Sequence, residues 1–228
     1  MSVETHRVLI GACGWKHQSW ENDFYDDDLP EDWQLGFYSN EFSVVYVPAS
    51  DWLDRVDMAE WVDDVSDIFR FILEMPEDIL SDEQNFNTAL TKAKDLGGLC
   101  LGLVFQLNPS NIKDAQAFQR QIQQAKEIAP VCIDKKDTLL TNEFKNILEE
   151  ENISEVWNGK STDSESLKKG PLAISHVLGN ELDMAGLRKV VEVALSASTE
   201  NCISVLCLDG NPPSLEKLRN AEIILNLL

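Results

Sequence analysis

Side chains able to do chemistry are few in this chain once its acids are set aside. There are three histidines and five cysteines among 228 residues, against 40 aspartates and glutamates. A metal site needs three or four His, Cys or carboxylate ligands brought together. His6 precedes the first apolar run, and neither an H-x-x-x-H nor an H-E-x-x-H spacing occurs. His17, His176, Glu74 and Asp209 are the residues that folding would have to gather. With no local motif to gather them, no metal and no other cofactor is expected. Acid–base work needs paired carboxylates, and Glu74 with Asp209, or Asp134 with either, are the available pairs. Nucleophilic catalysis lacks a G-x-S-x-G elbow, and Cys13 or Cys207 would need a base that only His17 or His176 supplies.

These residues sit at the ends of apolar runs, and the runs define the fold. Eight of them read as fully buried strands: 8–13, 42–47, 69–73, 100–106, 131–134, 153–157, 172–177 and 203–208. Their starts are on average about 28 residues apart, the length of a strand, two loops and a helix. Helical patterns fill the intervals at 54–65, with Asp51 or Asp54 as N-cap, and at 82–96, 111–128, 181–197 and 214–228, the last capped by Ser214. The interval 158–170 is polar, with room for one or two turns. Eight strands alternating with helices close most economically into a single-domain (β/α)8 parallel barrel spanning residues 1–228. An open doubly wound sheet is the rival. Gly11-Ala12-Cys13-Gly14 argues against it, because it lacks G-x-G-x-x-G spacing and runs into Trp15 and Lys16 instead of a helix.

In such a barrel the site lies at the carboxyl ends of the strands. The polar residues there are Lys16 and His17, Ser50 and Asp51, Glu74, Gln106 and Asn108, Asp134 to Lys136, Asn158, His176 and Asp209. From these the ligand-binding candidates are His17, Glu74, Gln106, Asp134, His176 and Asp209, with Trp15 as a wall. The ordinary reading of His176 is a core imidazole bonded to backbone or water. Gly179-Asn180 and 209–214 form the last two loops, where many barrels hold phosphate. Asp209 and the net charge favour tight turns and a helix cap there instead.

The net charge of −21 repels phosphate backbones and anionic lipid, so neither nucleic acid nor a membrane surface is an expected partner. No run is long enough to span a bilayer, the N-terminus shows no leader pattern, and the odd, scattered cysteines suit a reducing cytoplasm. The acids are uneven: residues 1–100 carry 22 against 6 bases, and 101–228 carry 18 against 13. Asp23, Asp26, Asp27, Asp28, Glu31 and Asp32 make one cluster, without the Gly and terminal Glu of an EF-hand loop. A solvated surface is the default explanation, and a docking face for a basic protein the sharper one.

The opening Gly11-Ala12-Cys13-Gly14-Trp15-Lys16-His17-Gln18-Ser19-Trp20, then Asp23-Phe24-Tyr25, Leu29-Pro30, Trp33, Tyr38 and 42–45, resembles the YecE-like family, or domain of unknown function 72. Trp61, Phe69-Arg70-Phe71, Leu101-Gly102, Phe105-Gln106-Leu107 with Pro109, and Asn220-Ala221 extend the likeness along the chain. The resemblance implies a TIM-like barrel. It also implies departures at inward polar positions. The family's Glu and Asn fall at Tyr46 and Pro48, an aromatic pair at Asp51 and Trp52, and a Lys at Glu74. A Glu and an Arg fall at Cys132 and Asp134, the Arg and His of Arg-x-His-Gly at His176 and Leu178, and paired Asn at Asp209-Gly210. The chain therefore reads as a divergent member whose ancestral site has been lost or rebuilt.

Two functions follow as expectations. One is a non-catalytic acidic barrel that binds a small ligand or a basic protein partner. The alternative is an enzyme, a hydrolase or isomerase, with a rebuilt site at the strand ends.

Overall fold

The computed structural model describes residues 8–21, 23–53, 57–107, 112, 114–135, 140–159, 167 and 169–228. Asn108, Pro109, Lys136, Asp54, the first residues of the 111–128 helix and most of 158–170 lie outside the described residues. The strands are β1 (Val8–Cys13), β2 (Val44–Val47), β3 (Arg70–Met75), β4 (Cys100–Gln106), β5 (Val131–Asp134), β6 (Ser154–Glu155), β7 (Leu172–Leu178) and β8 (Ile203–Asp209). All pair in parallel, in the order β6-β5-β4-β3-β2-β1-β8-β7. Beyond β6, Trp157 bridges Ser175: the Trp157 N–H donates to Ile174 O at 2.9 Å and the His176 N–H to Trp157 O at 2.8 Å. The sheet is thus a nearly closed barrel, joined between β6 and β7 by this one bridge among the described residues.

Strand parity sorts the apolar residues into two buried layers. Val44, Tyr46, Ile72, Val104, Cys132, Ile174, Val205 and Cys207 fill the barrel. Their neighbours Val45, Phe71, Leu73, Leu103, Phe105, Ile133, Ala173 and Leu206 face the surrounding helices. Both faces are covered, which is why the strands read as unbroken apolar runs.

The helices are α1 (Gln34–Glu41), α2 (Ala49–Trp52), α3 (Met58–Asp64), α4 (Glu83–Asp95), α5 (Ala115–Lys126), α6 (Asn142–Glu150), α7 (Met184–Ala197) and α8 (Leu215–Leu227). Asp57, Asp82, Asp114, Asp183 and Ser214 cap α3, α4, α5, α7 and α8, their side chains accepting from amides of the first turn. Asp57 therefore does what the pattern assigns to Asp51 or Asp54. Pro48 ends β2 and opens α2 without interrupting the ladder. The sixth unit is irregular as expected, since β6 has two residues.

Helix α6 is tied to α5 through Glu151. Its carboxylate accepts from Lys126 Nζ at 2.9 Å, Gln123 Nε2 at 2.7 Å and Gln119 Nε2 at 3.1 Å. The Lys126 ammonium holds this carboxyl below its ordinary value of 4.5 against the opposing effect of burial, helped by the two amides. A depressed carboxyl stabilises fully above its unfolded value, and the contribution fades as pH falls through the folded one. Glu151→Ala is expected to cost about 1 kcal/mol at neutral pH and less in acid, once the carboxyl is protonated in the folded protein too, read by urea denaturation at neutral and acid pH.

Candidate functional site

Each inner strand residue is followed two positions later by another inward residue, and at the carboxyl end of the barrel these are polar. Ile72 leads to Glu74, Val104 to Gln106, Cys132 to Asp134, Ile174 to His176 and Cys207 to Asp209. Gln106 and Asp134 are ladder neighbours. Glu74, Gln106, Asp134, His176 and Asp209, read from strand ends alone, thus share one mouth.

Tyr46 connects two sides of this mouth. Its hydroxyl donates to Glu74 Oε2 at 2.9 Å, and its ring lies 4.5 Å from the His176 ring at 32°. Burial, reinforced by Glu74, keeps the phenol protonated and so a donor. His176 Nε2 sits 3.3 Å from Asp209 Oδ2, close enough for an ion pair but not aligned for a hydrogen bond, and it has no hydrogen-bond partner among the described residues. Burial alone would raise the Asp209 carboxyl. The imidazole of His176, the Gly210 amide 2.7 Å from Oδ1, and His17 outweigh it and hold the group below its ordinary range.

Cys13 completes the inward layer of β1, two residues beyond Gly11. Its Sγ, a ring nitrogen of His176 and a carboxylate oxygen of Asp209 lie within 4.8 Å of one another. Burial, then Asp209, Cys207, Glu74 and Asp51, keep this thiol protonated far into alkali. The uncomplexed thiol is thereby a poor nucleophile at neutral pH, and only a bound metal ion, which releases the thiol proton to solvent, would make it a thiolate.

His17 stands at the rim, with Nε2 3.0 Å from Cys13 O and the ring edge-on to Trp20 at 4.5 Å. Burial lowers its affinity for a proton, although bonding to the Cys13 carbonyl and the field of Asp209 oppose this. Trp15 is different. It is 3% exposed and packs at 4.9 Å, edge to face, on Trp61 of α3, behind the barrel wall. The expectation that it lines the mouth is corrected: past the end of β1, alternation no longer dictates direction. Trp52 and Trp157 also belong to the outer layer, so neither plugs the barrel.

A cavity of about 240 Å³ opens beside His176 and Asp209, bounded also by Asn158, Leu178, Glu181 and Leu182. The flanking lysines are engaged elsewhere. Lys16 pairs with Glu31 at 3.1 Å, and Lys135 pairs with Glu155. In the last two loops Lys217 Nζ donates to Gly179 O and Asn180 O, both at 2.9 Å, and Asn180 Oδ1 accepts the Ser214 amide at 3.0 Å. The Ser214 amide is thereby taken, and the Lys217 amide donates to Ser214 Oγ at 3.4 Å.

The residues carrying the family likeness form the support. Trp20 Nε1 donates to Pro213 O at 3.0 Å, Tyr25 OH to Trp15 O at 2.7 Å, and Trp20 stacks on Tyr38. They fix the loop after β1 against the loop after β8, and with it the edge of the mouth that holds Cys13 and Asp209.

No curated protein matches the chain. Among solved structures it is similar to a DUF72 family protein from Thermotoga maritima, with TM-score 0.73 and 14% identity over 97% of this chain and 100% of the other. It is also similar to a DUF72 family protein from Enterococcus faecalis, at 0.67 and 14% over 97% and 96%. An L-ribulose 3-epimerase shares the barrel at 0.56 and 12% over 96% and 95%, a likeness of fold alone. The model of the family described as protein of unknown function DUF72 matches residues 9–188, and the chain belongs to that family.

Proposed function

We propose that the protein binds a small cationic ligand in the acidic mouth of its barrel. The observation that carries this reading is the inward ring of Glu74, Asp134 and Asp209, bridged by Tyr46 and His176, with Lys16 and Lys135 paired outside it. Carboxylates facing a partly enclosed, low-dielectric space attract a cation and repel phosphates. Beside this ring, the cavity of about 240 Å³ reaches it at His176 and Asp209 and adds the Glu181 carboxylate from the side of β7 and α7. Nucleic acid and other polyanions are expected not to bind, because the whole surface opposes them.

The test is calorimetry and thermal shift with matched amines, neutral polyols and sugar phosphates. An amine is expected to raise the melting temperature and to lose at least tenfold in affinity in Asp209→Asn and Glu74→Gln. Preference for a phosphate, or amine binding unchanged by both substitutions, overturns the reading.

A second reading, an enzyme of hydrolase or isomerase type, is favoured by one feature: the His176 Nε2 set 3.3 Å from Asp209 Oδ2 at the barrel mouth, an imidazole beside a carboxylate as acid–base chemistry requires. Turnover of a bound ligand that disappears in His176→Gln while binding persists would select it over the non-catalytic one.

A further inference from the structure

We propose that Cys13, His176 and Asp209 form the binding site for one zinc-type divalent ion. The three come from β1, β7 and β8, which are neighbours in the barrel although distant in sequence. The register explains why they meet. Gly11 and His176 both pair with Cys207, so Cys13 and Asp209, each two residues further along its strand, stand one inward step beyond His176, on adjoining strands and within reach of its ring.

The donor set is one sulfur, one imidazole nitrogen and one carboxylate oxygen within 4.8 Å of one another. Mixed S, N, O sets of this kind suit zinc, whereas calcium and magnesium take oxygen. Two ligands each 2.0–2.1 Å from a tetrahedral ion lie about 3.3 Å apart. His176 Nε2 and Asp209 Oδ2 are already 3.3 Å apart. That nitrogen is buried, has no hydrogen-bond partner among the described residues and is misaligned for a hydrogen bond to Asp209. An ion between the two groups explains both the approach and the misalignment. Orientation is supplied from outside the ligand set, where the Tyr46 ring lies against the imidazole and is itself held by Glu74. Three protein ligands leave a fourth position facing the mouth, open to water or to a donor atom of a bound molecule.

The inference goes beyond the binding of an organic cation and is tested separately. Purified protein stripped with a chelator is titrated with cobalt(II), a coloured substitute for zinc. The expected result is one equivalent bound, with a thiolate-to-cobalt charge-transfer band that zinc bleaches by displacement. Cys13→Ser is expected to abolish the band, and Asp209→Asn to weaken binding at least tenfold, with the far-ultraviolet circular dichroism of both unchanged. Should Cys13→Ser not fold, His176→Gln replaces it, and a weakening of at least tenfold is again expected. Absence of the band in the parent protein, or a band that survives Cys13→Ser and vanishes in Cys207→Ser, overturns the proposal. Failure of the amine experiments leaves this result standing, because the two read different signals.

Discussion

Gly11→Ala is expected to destabilise the barrel by more than about 4 kcal/mol, enough to leave much of the protein unfolded. Gly11 lies in the ladder opposite Val44, and a Cβ added to it would stand 1.9 Å from the Val44 carbonyl oxygen and 2.8 Å from its carbon. Both obstacles are backbone, so no rotamer change relieves them and β1 must separate from β2. The parting would spread to the layer above, where Cys13 and Tyr46 pair in the same ladder. Gly98→Ala is the control, because its added Cβ meets nothing within 4 Å and its effect is expected within about 0.5 kcal/mol. Guanidinium denaturation of the two variants decides. A Gly11→Ala midpoint close to the parent's would mean that the strands part cheaply and that close packing does not fix the first strand pair.

Gly11 also illustrates what could be read from the sequence. The strands are legible because burial on both faces writes them as apolar runs, although three runs overreach, the run 153–157 because β6 is only Ser154–Glu155. Phe42 and Phe69 precede β2 and β3 and belong to the aromatic layer with Tyr38 instead of to the ladder. Helices α1 and α6 leave no readable pattern in the sequence, for different reasons. In α1 only Leu35, Tyr38 and the polar Gln34 are buried, and Gly36 sits against Asp64 O, so there is no apolar stripe to see. In α6, Phe144, Ile147 and Leu148 do keep helical spacing, but polar residues on both sides hide so short a pattern. In α7 the stripe starts at Leu187, and Ala185 faces solvent because Asp183 sets the helix start.

The site was legible where alternation governs and illegible beyond it. Glu74, Gln106, Asp134, His176 and Asp209 follow buried residues at a spacing of two, so their direction was determined once the strands were placed. Cys13 obeys the same parity from Gly11, yet its type reads as a small core residue. Tyr46 was passed over because an aromatic in an apolar run looks like packing, and its hydroxyl gains meaning only when β3 brings Glu74 to it. The neighbourhood of Cys13, His176 and Asp209 depends on closing the barrel through β8, which no local spacing records.

Tyr38→Phe is expected to cost about 1–3 kcal/mol, because it removes two buried hydrogen bonds made by one hydroxyl across the β1–β2 ladder. The Tyr38 hydroxyl accepts the Ala12 N–H at 2.8 Å and donates to Val44 O at 3.0 Å, and the side chain is fully buried. The phenol thereby stitches β1 to β2 from the helix side, at the same carbonyl that excludes a Cβ from Gly11. Tyr25→Phe, which orphans a single acceptor, the Trp15 carbonyl, is expected to cost roughly half as much. Burial raises the Tyr38 phenol well above its ordinary 10.0. Its contribution is therefore whole below pH 10.0 and declines as pH climbs from there toward the folded value. Denaturation midpoints give the size of the loss, and amide exchange gives its place: the Ala12 N–H should exchange much faster in Tyr38→Phe than in Tyr25→Phe. Equal protection of that amide in both variants would mean that the hydroxyl is a bystander and that the strand pair holds without its stitch.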